Sequence, residues 1–128
     1  MRLILDTHTF LWYIFGDPRL NTAATALLQD RANEKLLSLA SPWEVGIKAS
    51  TGKLTLSRPL EAYFDEQMQL NSIKMLPITL AHIARVSVLP FHHRDPFDRM
   101  LIAQSLTDSI PIISAEAVFD AYGVERLW

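Results

Sequence analysis

Short apolar runs that lack alternation are the sequence feature that most constrains the fold of this chain. Four such runs occur, and helix-type sequence separates them: Leu3–Leu5, Leu36–Leu39, Ile73–Leu76 and Ile110–Ile113. A run of this kind is typical of a strand that is covered on both faces, as in a parallel sheet. Strands that alternate with helices predict an α/β protein, a three-layer α/β/α sandwich around a twisted parallel sheet of four to five strands.

Residues that begin and end helices lie between the strand-like runs. Asn21, Thr79 and Asp95 are good N-caps, and Pro96 suits the first position of the helix that follows Asp95. Ser41-Pro42-Trp43-Glu44 has the S-x-x-E form of a capping box. These signals predict a helix that begins at 96 and further helices at 10–15, 22–30, 42–51, 59–70, 80–88 and 115–122. Val124–Trp128 is an additional candidate for an edge strand.

Length and composition place limits on the class of protein. At 128 residues we expect one domain, residues 1–128, and the absence of cysteine leaves carboxylate or histidine as the only metal ligands. Asp6 and His8 interrupt the apolar N-terminal run, which argues against a signal sequence, and no segment is long enough for a membrane span. A cytoplasmic location is the default expectation. The net charge of −2 argues against nucleic-acid binding over the whole surface but permits a local basic patch.

Acidic residues follow several of the predicted strands. Asp6 ends the first strand, Glu44 lies one turn beyond the second, and Glu116 comes shortly after the fourth. The carboxyl ends of parallel strands share one edge of a sheet, where ligands bind. Asp98 is harder to place, because its helix leads into the fourth strand and is expected to start at the opposite edge, unless the loop 90–94 carries it across.

A meeting of these acids would require a cation. Two carboxylates about 4 Å apart repel by about 4 kcal/mol at an effective dielectric near 20, so three or four of them need raised pKa values or a positive ion. Oxygen ligands without thiolate favour Mg²⁺ or Mn²⁺. Such an ion lowers the pKa of a bound water and neutralises charge on phosphorus, which is the arrangement for phosphodiester hydrolysis by a metal-activated water.

Four segments carry a resemblance to a known family. LILDTHTFLW, SPWEVGIK, HRDPFDRMLIAQ and IISAEAVFDAYGVERLW, which cover nearly the whole chain in order, resemble the PIN-domain ribonucleases of the VapC toxin type. The resemblance implies an endoribonuclease in which Asp6, Glu44 and Asp98 are catalytic and bind Mg²⁺ or Mn²⁺ together with Glu116, and it implies that these segments meet at one site. Asp95 is implied as an accessory acid. Glutamate at 116 departs from the usual aspartate or asparagine of the family and is one methylene longer.

The resemblance also implies partners. These are an RNA substrate, a second copy of the chain in a homodimer and a cognate antitoxin, with DNA contacted only indirectly through the antitoxin and no membrane. The sequence itself shows surplus apolar surface at Trp12–Phe15, part of which we expect to meet another chain. Trp12 and Trp43 are expected to pack in the core.

Structural interpretations stand beside the functional ones. Glu44 is also explained as the capping partner of Ser41, and Asp95 chiefly as an N-cap. Arg94 and Arg99 are explained equally well as charge partners of the aspartates or as clamps on an RNA phosphate, with Ser114 as a further substrate-binding candidate. Solvated surface is the expectation for Lys48 and Lys53. The adjacent His92 and His93 suggest the acid and base of a metal-free nuclease, but ordinary loop structure is the expectation for them.

Two rival functions stay open. A catalytically silent PIN-fold binding module would keep the fold and meet only its partner, and glutamate at position 116 permits this. A receiver-like signalling domain also holds Mg²⁺ with aspartates at strand ends, but it needs a phosphate-accepting aspartate after the third strand. The sequence there is Leu76-Pro77-Ile78-Thr79, which contains no acid.

Overall fold

A five-stranded parallel sheet forms the centre of the protein. The structure, a computed structural model, describes residues 1–128. All strand pairs are parallel and the spatial order is β3-β2-β1-β4-β5. The predicted α/β architecture is confirmed. The strands are β1 (Arg2–Leu5), β2 (Glu34–Ser38), β3 (Ile73–Leu76), β4 (Ile112–Ile113) and β5 (Arg126–Leu127).

Six α-helices and one 3₁₀ helix, Ala117–Tyr122, connect the strands. Asn21, Thr79 and Asp95 cap the helices that the sequence assigned to them, each through a side-chain oxygen that accepts a backbone N–H. None of the helices has the length and apolar character needed to cross a bilayer. The α-helices are α1 (Thr7–Phe15), α2 (Thr22–Gln29), α3 (Ala40–Ser50), α4 (Leu60–Leu70), α5 (Leu80–Val88) and α6 (Pro96–Asp108).

Two hydrophobic cores lie on the two faces of the sheet. In β1, Leu3 and Leu5 point into the core that contains Phe10 of α1 and Phe64 of α4. Ile4 points to the opposite face. Because both faces are covered, successive residues of the strand are all apolar, which explains the lack of alternation. The second core contains buried residues of α6 and the 3₁₀ helix: Leu101, Ile102, Ala103 and Phe119.

The start of α3 differs from the predicted capping box. The helix begins at Ala40, its N-cap position is Leu39 in helical conformation, and no side chain caps it. The chain therefore passes from β2 into the helix before Ser41 is reached. The Ser41 hydroxyl instead lies 2.9 Å from the Thr7 hydroxyl of α1. Glu44 therefore does not take part in a capping box.

The position of α6 corrects the expectation that its start lies at the opposite edge of the sheet. A helix that connects parallel strands runs antiparallel to them, so a helix leading into β4 begins at the carboxyl edge. The charges of Asp6 and Glu44 act on Asp98, so its carboxyl lies within electrostatic range of theirs. The acids that follow β1 and β2 and the acid of α6 therefore occupy one edge.

The aromatic residues of α1 are mostly packed against the chain itself. The Trp12 ring lies 6.0 Å from the Trp128 ring and 5.0 Å from the Arg19 guanidinium, whereas Phe15 is 55% exposed. Trp43 was expected in the core, and that expectation is wrong, since its side chain is 65% exposed on α3. The surplus apolar surface is therefore found mainly outside α1.

Candidate active site

Asp6 occupies the junction between β1 and α1. One carboxyl oxygen, Oδ1, accepts the Thr9 backbone N–H at 2.7 Å and caps the helix. The other, Oδ2, accepts the hydroxyl of Ser114, which follows β4. Arg126 of β5 donates to the Ser114 carbonyl at 3.1 Å and so holds this loop in place. Asp6 is 2% exposed.

Burial and hydrogen bonding have opposite effects on the pKa of the Asp6 carboxyl. Burial raises the pKa of the Asp6 carboxyl above its usual value, while the hydrogen bonds from Ser114 and Thr9 lower it. Burial is the larger effect. A cation bound near this carboxyl would lower its pKa, because a positive charge stabilises the ionised form.

Glu44 lies in the first half of α3 and is buried. Its Oε2 is 3.0 Å from Nζ of Lys48 one turn later. Lys48 is therefore an ion-pair partner of a site residue, which corrects the expectation of simple solvated surface. The second oxygen, Oε1, is buried and has no hydrogen-bond partner. A buried carboxylate oxygen without a partner is costly, so this atom is available for a ligand.

Asp95 and Asp98 divide two tasks at the start of α6. Asp95 Oδ1 accepts the backbone N–H groups of Phe97 and Asp98, at 2.8 and 3.2 Å, and fills the cap. The Asp98 carboxyl is not needed for capping. Burial, followed by the negative charges of Asp95, Asp6, Glu44 and Glu116, raises the pKa of Asp98 to about 8. These four acids are thus close enough to Asp98 to repel its charge.

His93, which the sequence analysis assigned to ordinary loop structure, lies beside Asp98 in the candidate site. Its Nε2 lies 2.9 Å from Asp98 Oδ2, and its Nδ1 accepts the Asp95 backbone N–H at 3.2 Å. Because Nδ1 is an acceptor, the neutral ring carries its proton on Nε2 and donates it to Asp98. The His93 backbone N–H donates to the Tyr122 hydroxyl at 2.9 Å, which fixes the loop.

The two arginines beside the aspartates have different surroundings. Arg99 is 5% exposed and donates to the carbonyls of Pro90, Leu89 and Val86. It therefore holds the loop before α6 and makes no ion pair with an aspartate, while its role as a clamp on RNA stays a prediction. Arg94 is exposed and makes no ion pair, which leaves it free at the surface.

Glu116 lies on the exposed rim of the site. Its backbone N–H donates to the Ser114 hydroxyl at 3.0 Å, while its side chain makes no hydrogen bond or ion pair. Its charge nevertheless contributes to the raised pKa of Asp98. Ser114 thus links the rim to the buried Asp6.

The residues at this edge fit a hard divalent cation. The donors are carboxylate oxygens, one of them buried and unpartnered, and Mg²⁺ and Mn²⁺ prefer such oxygens. As they stand, no three acidic or histidine side chains lie close enough together to hold a metal ion.

The fold and this edge define a class of protein: a parallel α/β/α domain with a group of acids beyond the carboxyl ends of its central strands. Residues 3–125 match the PIN domain family, and the chain belongs to that family. The resemblance seen in the sequence is confirmed.

One relative by sequence is Ribonuclease VapC16 of Mycobacterium tuberculosis. The chain is 34% identical to it over 77 residues. The match covers 54% of the chain and 55% of the relative, so it spans about half of the relative's length.

Solved structures of similar fold come from complexes of other proteins. The chain resembles one in VapBC2 from Rickettsia felis bound to a promoter DNA fragment, with a TM-score of 0.71 and 11% identity over 99% of this chain and 98% of that one. A second is in VapBC-1 from Haemophilus influenzae, with a TM-score of 0.66 and 14% identity over 99% and 97%. A third is in FitAcB from Neisseria gonorrhoeae, with a TM-score of 0.66 and 17% identity over 98% and 96%. At these identities the likeness concerns the fold.

Proposed function

We propose that this chain, as a single PIN domain, is a metal-dependent endoribonuclease and the toxin of a toxin–antitoxin pair. The observation that carries the proposal is the placement of Asp6, Glu44 and Asp98 at one edge of the sheet, where Glu44 Oε1 is buried without a hydrogen-bond partner and the neighbouring acids raise the pKa of Asp98. Acids brought together at this energetic cost are typical of a functional site. The sequence relationship to a ribonuclease supports RNA as the substrate.

The proposed ligands of Mg²⁺ or Mn²⁺ are Asp6, Glu44 and Asp98, with Glu116 at the rim. A bound divalent ion would lower the pKa of a coordinated water, and it would neutralise the charge that develops on a phosphodiester. Neighbouring side chains of the protein orient the acids. Ser114 fixes Asp6, the unpartnered Oε1 of Glu44 is available as a ligand, and His93 holds Asp98.

Groups suited to RNA lie beside the acids. Lys48 and Arg94 are the nearby cations with exposed surface, and either can contact a phosphate. The rings of Trp43 and Phe97, which precede Glu44 and Asp98 in sequence, lie 5.1 Å apart in a T-shaped arrangement. An exposed aromatic ring at this position is suited to stack on an unpaired base.

The proposed protein partners are a second copy of the chain and a cognate antitoxin through which DNA is reached. VapBC and FitAcB complexes among the fold neighbours support an antitoxin partner. Apolar surface for such contacts lies on α3, where Leu39, Trp43 and Ile47 form one exposed stripe, and on α5, where Leu80 and Ile83 are exposed. Exposed apolar patches of this kind are typical of interaction surfaces.

Cleavage of a mixed-sequence single-stranded RNA, with product analysis by gel, tests the nuclease activity. We expect cleavage with Mg²⁺ or Mn²⁺, none in EDTA, and a loss of at least about 100-fold in Asp6→Asn and Asp98→Asn. Asparagine caps helices as well as aspartate does, so Asp6→Asn keeps the helix start. Asp65→Asn, at an exposed aspartate of α4, is the matched control and should cleave like the wild type.

Undiminished cleavage in EDTA, or in both asparagine variants, would contradict the proposed metal site. Calorimetric titration with Mn²⁺ separates the nuclease from a catalytically silent PIN module. The nuclease should bind Mn²⁺ in a manner that depends on Asp6 and Asp98, whereas a silent module should show no such binding.

A further inference from the structure

The two carboxyl oxygens of Glu44 have different surroundings. Oε2 lies 3.0 Å from Nζ of Lys48, whereas Oε1 is buried and has no hydrogen-bond partner. Glu44 is only 7% exposed, so water screens its ion pair with Lys48 less than it screens a pair at the open surface. The charge of Glu44 also acts on Asp98. Lys48 therefore engages one oxygen of an acid at this edge and leaves the other oxygen for a ligand.

The helix α3 fixes the position of the Lys48 ammonium. Lys48 follows Glu44 by four residues, and residues at this spacing lie one turn apart on the same face of a helix. The order of glutamate before lysine is the more favourable of the two. Lys48 is half-buried, and its ammonium is therefore held beside Oε2 by regular helical structure.

Asp98 shows a similar pattern with a weaker partner. Its Oδ2 lies 2.9 Å from Nε2 of His93. The neutral imidazole donates one hydrogen bond, whereas the ammonium of Lys48 brings a full positive charge to Glu44. Interactions with an ionised donor are roughly twice as strong as those with a neutral one. Lys48 is therefore the group that most firmly withholds an acid oxygen from a cation.

The number of free carboxylate oxygens affects which divalent ion a site prefers. Ca²⁺ takes six to eight oxygen ligands in flexible geometry and often binds both oxygens of one carboxylate. Mg²⁺ is smaller, requires a near-ideal octahedron and keeps several of its waters. A glutamate with one oxygen paired to an ammonium offers a single oxygen, which suits the smaller ion and disfavours Ca²⁺.

We propose that Lys48 is a positioning residue that restricts Glu44 to one ligand oxygen and thereby selects Mg²⁺ or Mn²⁺ against Ca²⁺. The inference rests on the proposed metal-dependent function and adds the residue that sets the choice of ion. This role is exerted on the protein without RNA, so it is separable from a contact between Lys48 and a phosphate.

Competition for bound Mn²⁺ tests the role in the absence of RNA. The EPR signal of free Mn²⁺ measures how much Mn²⁺ the full chain binds, and Mg²⁺ and Ca²⁺ are added as competitors. In Lys48→Met, the ratio of the Ca²⁺ to the Mg²⁺ dissociation constant should fall by about tenfold or more, because Oε2 becomes available to Ca²⁺. Loss of the positive charge strengthens the binding of both ions alike, so the ratio isolates the effect of the freed oxygen.

Matched variants complete the experiment. Lys48→Arg keeps a cation beside Glu44 and should retain the wild-type ratio, and Lys53→Met removes an exposed lysine and should also retain it. Lys48→Ala, which has the highest helix propensity, should shift the ratio in the same direction as Lys48→Met and serves if the methionine variant is unstable.

A wild-type ratio in Lys48→Met and Lys48→Ala would overturn the role of Lys48 while leaving the proposed nuclease intact. An equal fall in Lys53→Met would also overturn it, since the effect would then come from net charge. A wild type that binds no Mn²⁺ would overturn the metal site of the proposed function and this inference with it.

Discussion

His93 donates a hydrogen bond from Nε2 to Oδ2 of Asp98 across 2.9 Å, and the Asp95 backbone N–H fixes the opposite ring nitrogen. The imidazole is therefore anchored on both sides. One oxygen of Asp98 is held by the histidine, and the other stays free. An acid that is oriented in this way loses less freedom when it binds a cation, since the orientation exists beforehand.

Removal of the His93 donor should weaken metal binding. His93→Leu is expected to lower Mn²⁺ affinity by about 10- to 100-fold, because partners of a ligating carboxylate typically contribute this much. His93→Gln places an amide N–H near the same position and should recover most of the affinity. Calorimetric Mn²⁺ titration measures both. His92→Leu is the control, and equal affinities for all variants would exclude the orienting role.

Asp98 should decrease the stability of the metal-free protein at high pH. Its pKa is about 8 in the folded state and about 3.8 in the unfolded state, so the folded state holds the extra proton between these values. The contribution of this group to the free energy of unfolding therefore falls as pH rises from 4 to 8. In EDTA, Asp98→Asn should be more stable than wild type by roughly 1–3 kcal/mol at pH 8 and less so at pH 5.

Urea unfolding at the two pH values measures this difference. Addition of Mn²⁺ should reverse the order at pH 8, since only the wild type gains the full binding energy. A wild type that is more stable than Asp98→Asn in EDTA at pH 8 would show that the carboxylates do not repel one another.

Ser114 should set the pH range over which Asp6 is ionised. Its hydroxyl donates to Asp6 Oδ2 and lowers the pKa of that carboxyl against the effect of burial. In Ser114→Ala the pKa of Asp6 should rise, so the ionised form needs higher pH. The acidic limb of the pH–rate profile for RNA cleavage should move upward by roughly one unit. Ser87→Ala, at an exposed serine of α5, should leave the profile in place.

Arg99 should affect stability more than chemistry. Its guanidinium donates to three carbonyls of the segment 86–90 and lies 4.0 Å from the Phe91 ring centroid. Lysine cannot reproduce this forked geometry, so Arg99→Lys should lower the free energy of unfolding by about 2–4 kcal/mol. Thermal and urea unfolding measure the loss. A variant of wild-type stability that has lost only RNA cleavage would support the clamp interpretation.

Local signals predicted much of the fold. The strand-like runs and the caps at Asn21, Thr79 and Asp95 depend on neighbouring residues, and the structure has them where the sequence placed them. β4 is shorter than predicted and begins after Pro111. Proline lacks the N–H that a ladder requires, which explains the shorter strand.

Features that depend on distant residues were missed. The capping box at Ser41 has the right local pattern, but the Thr7 hydroxyl, 34 positions away, pairs with that serine instead. Arg99 has two acidic neighbours in sequence, whereas its acceptors are carbonyls before α6. Asp6, Glu44 and Glu116 were predicted as site candidates because parallel strands bring their carboxyl ends together, whereas Asp98 was added by the family resemblance. Their roles stay predictions until cleavage is measured.

The short strand β5 couples the far end of the chain to the acids. Arg126 holds the Ser114 carbonyl, and the Ser114 backbone N–H donates to the Leu127 carbonyl at 3.2 Å. Proteolytic trimming or a fusion that strains residues 126–127 would therefore loosen the serine that steadies Asp6. Loss of function in such a derivative would follow without any change to an acidic residue, which is a practical concern for the placement of affinity tags.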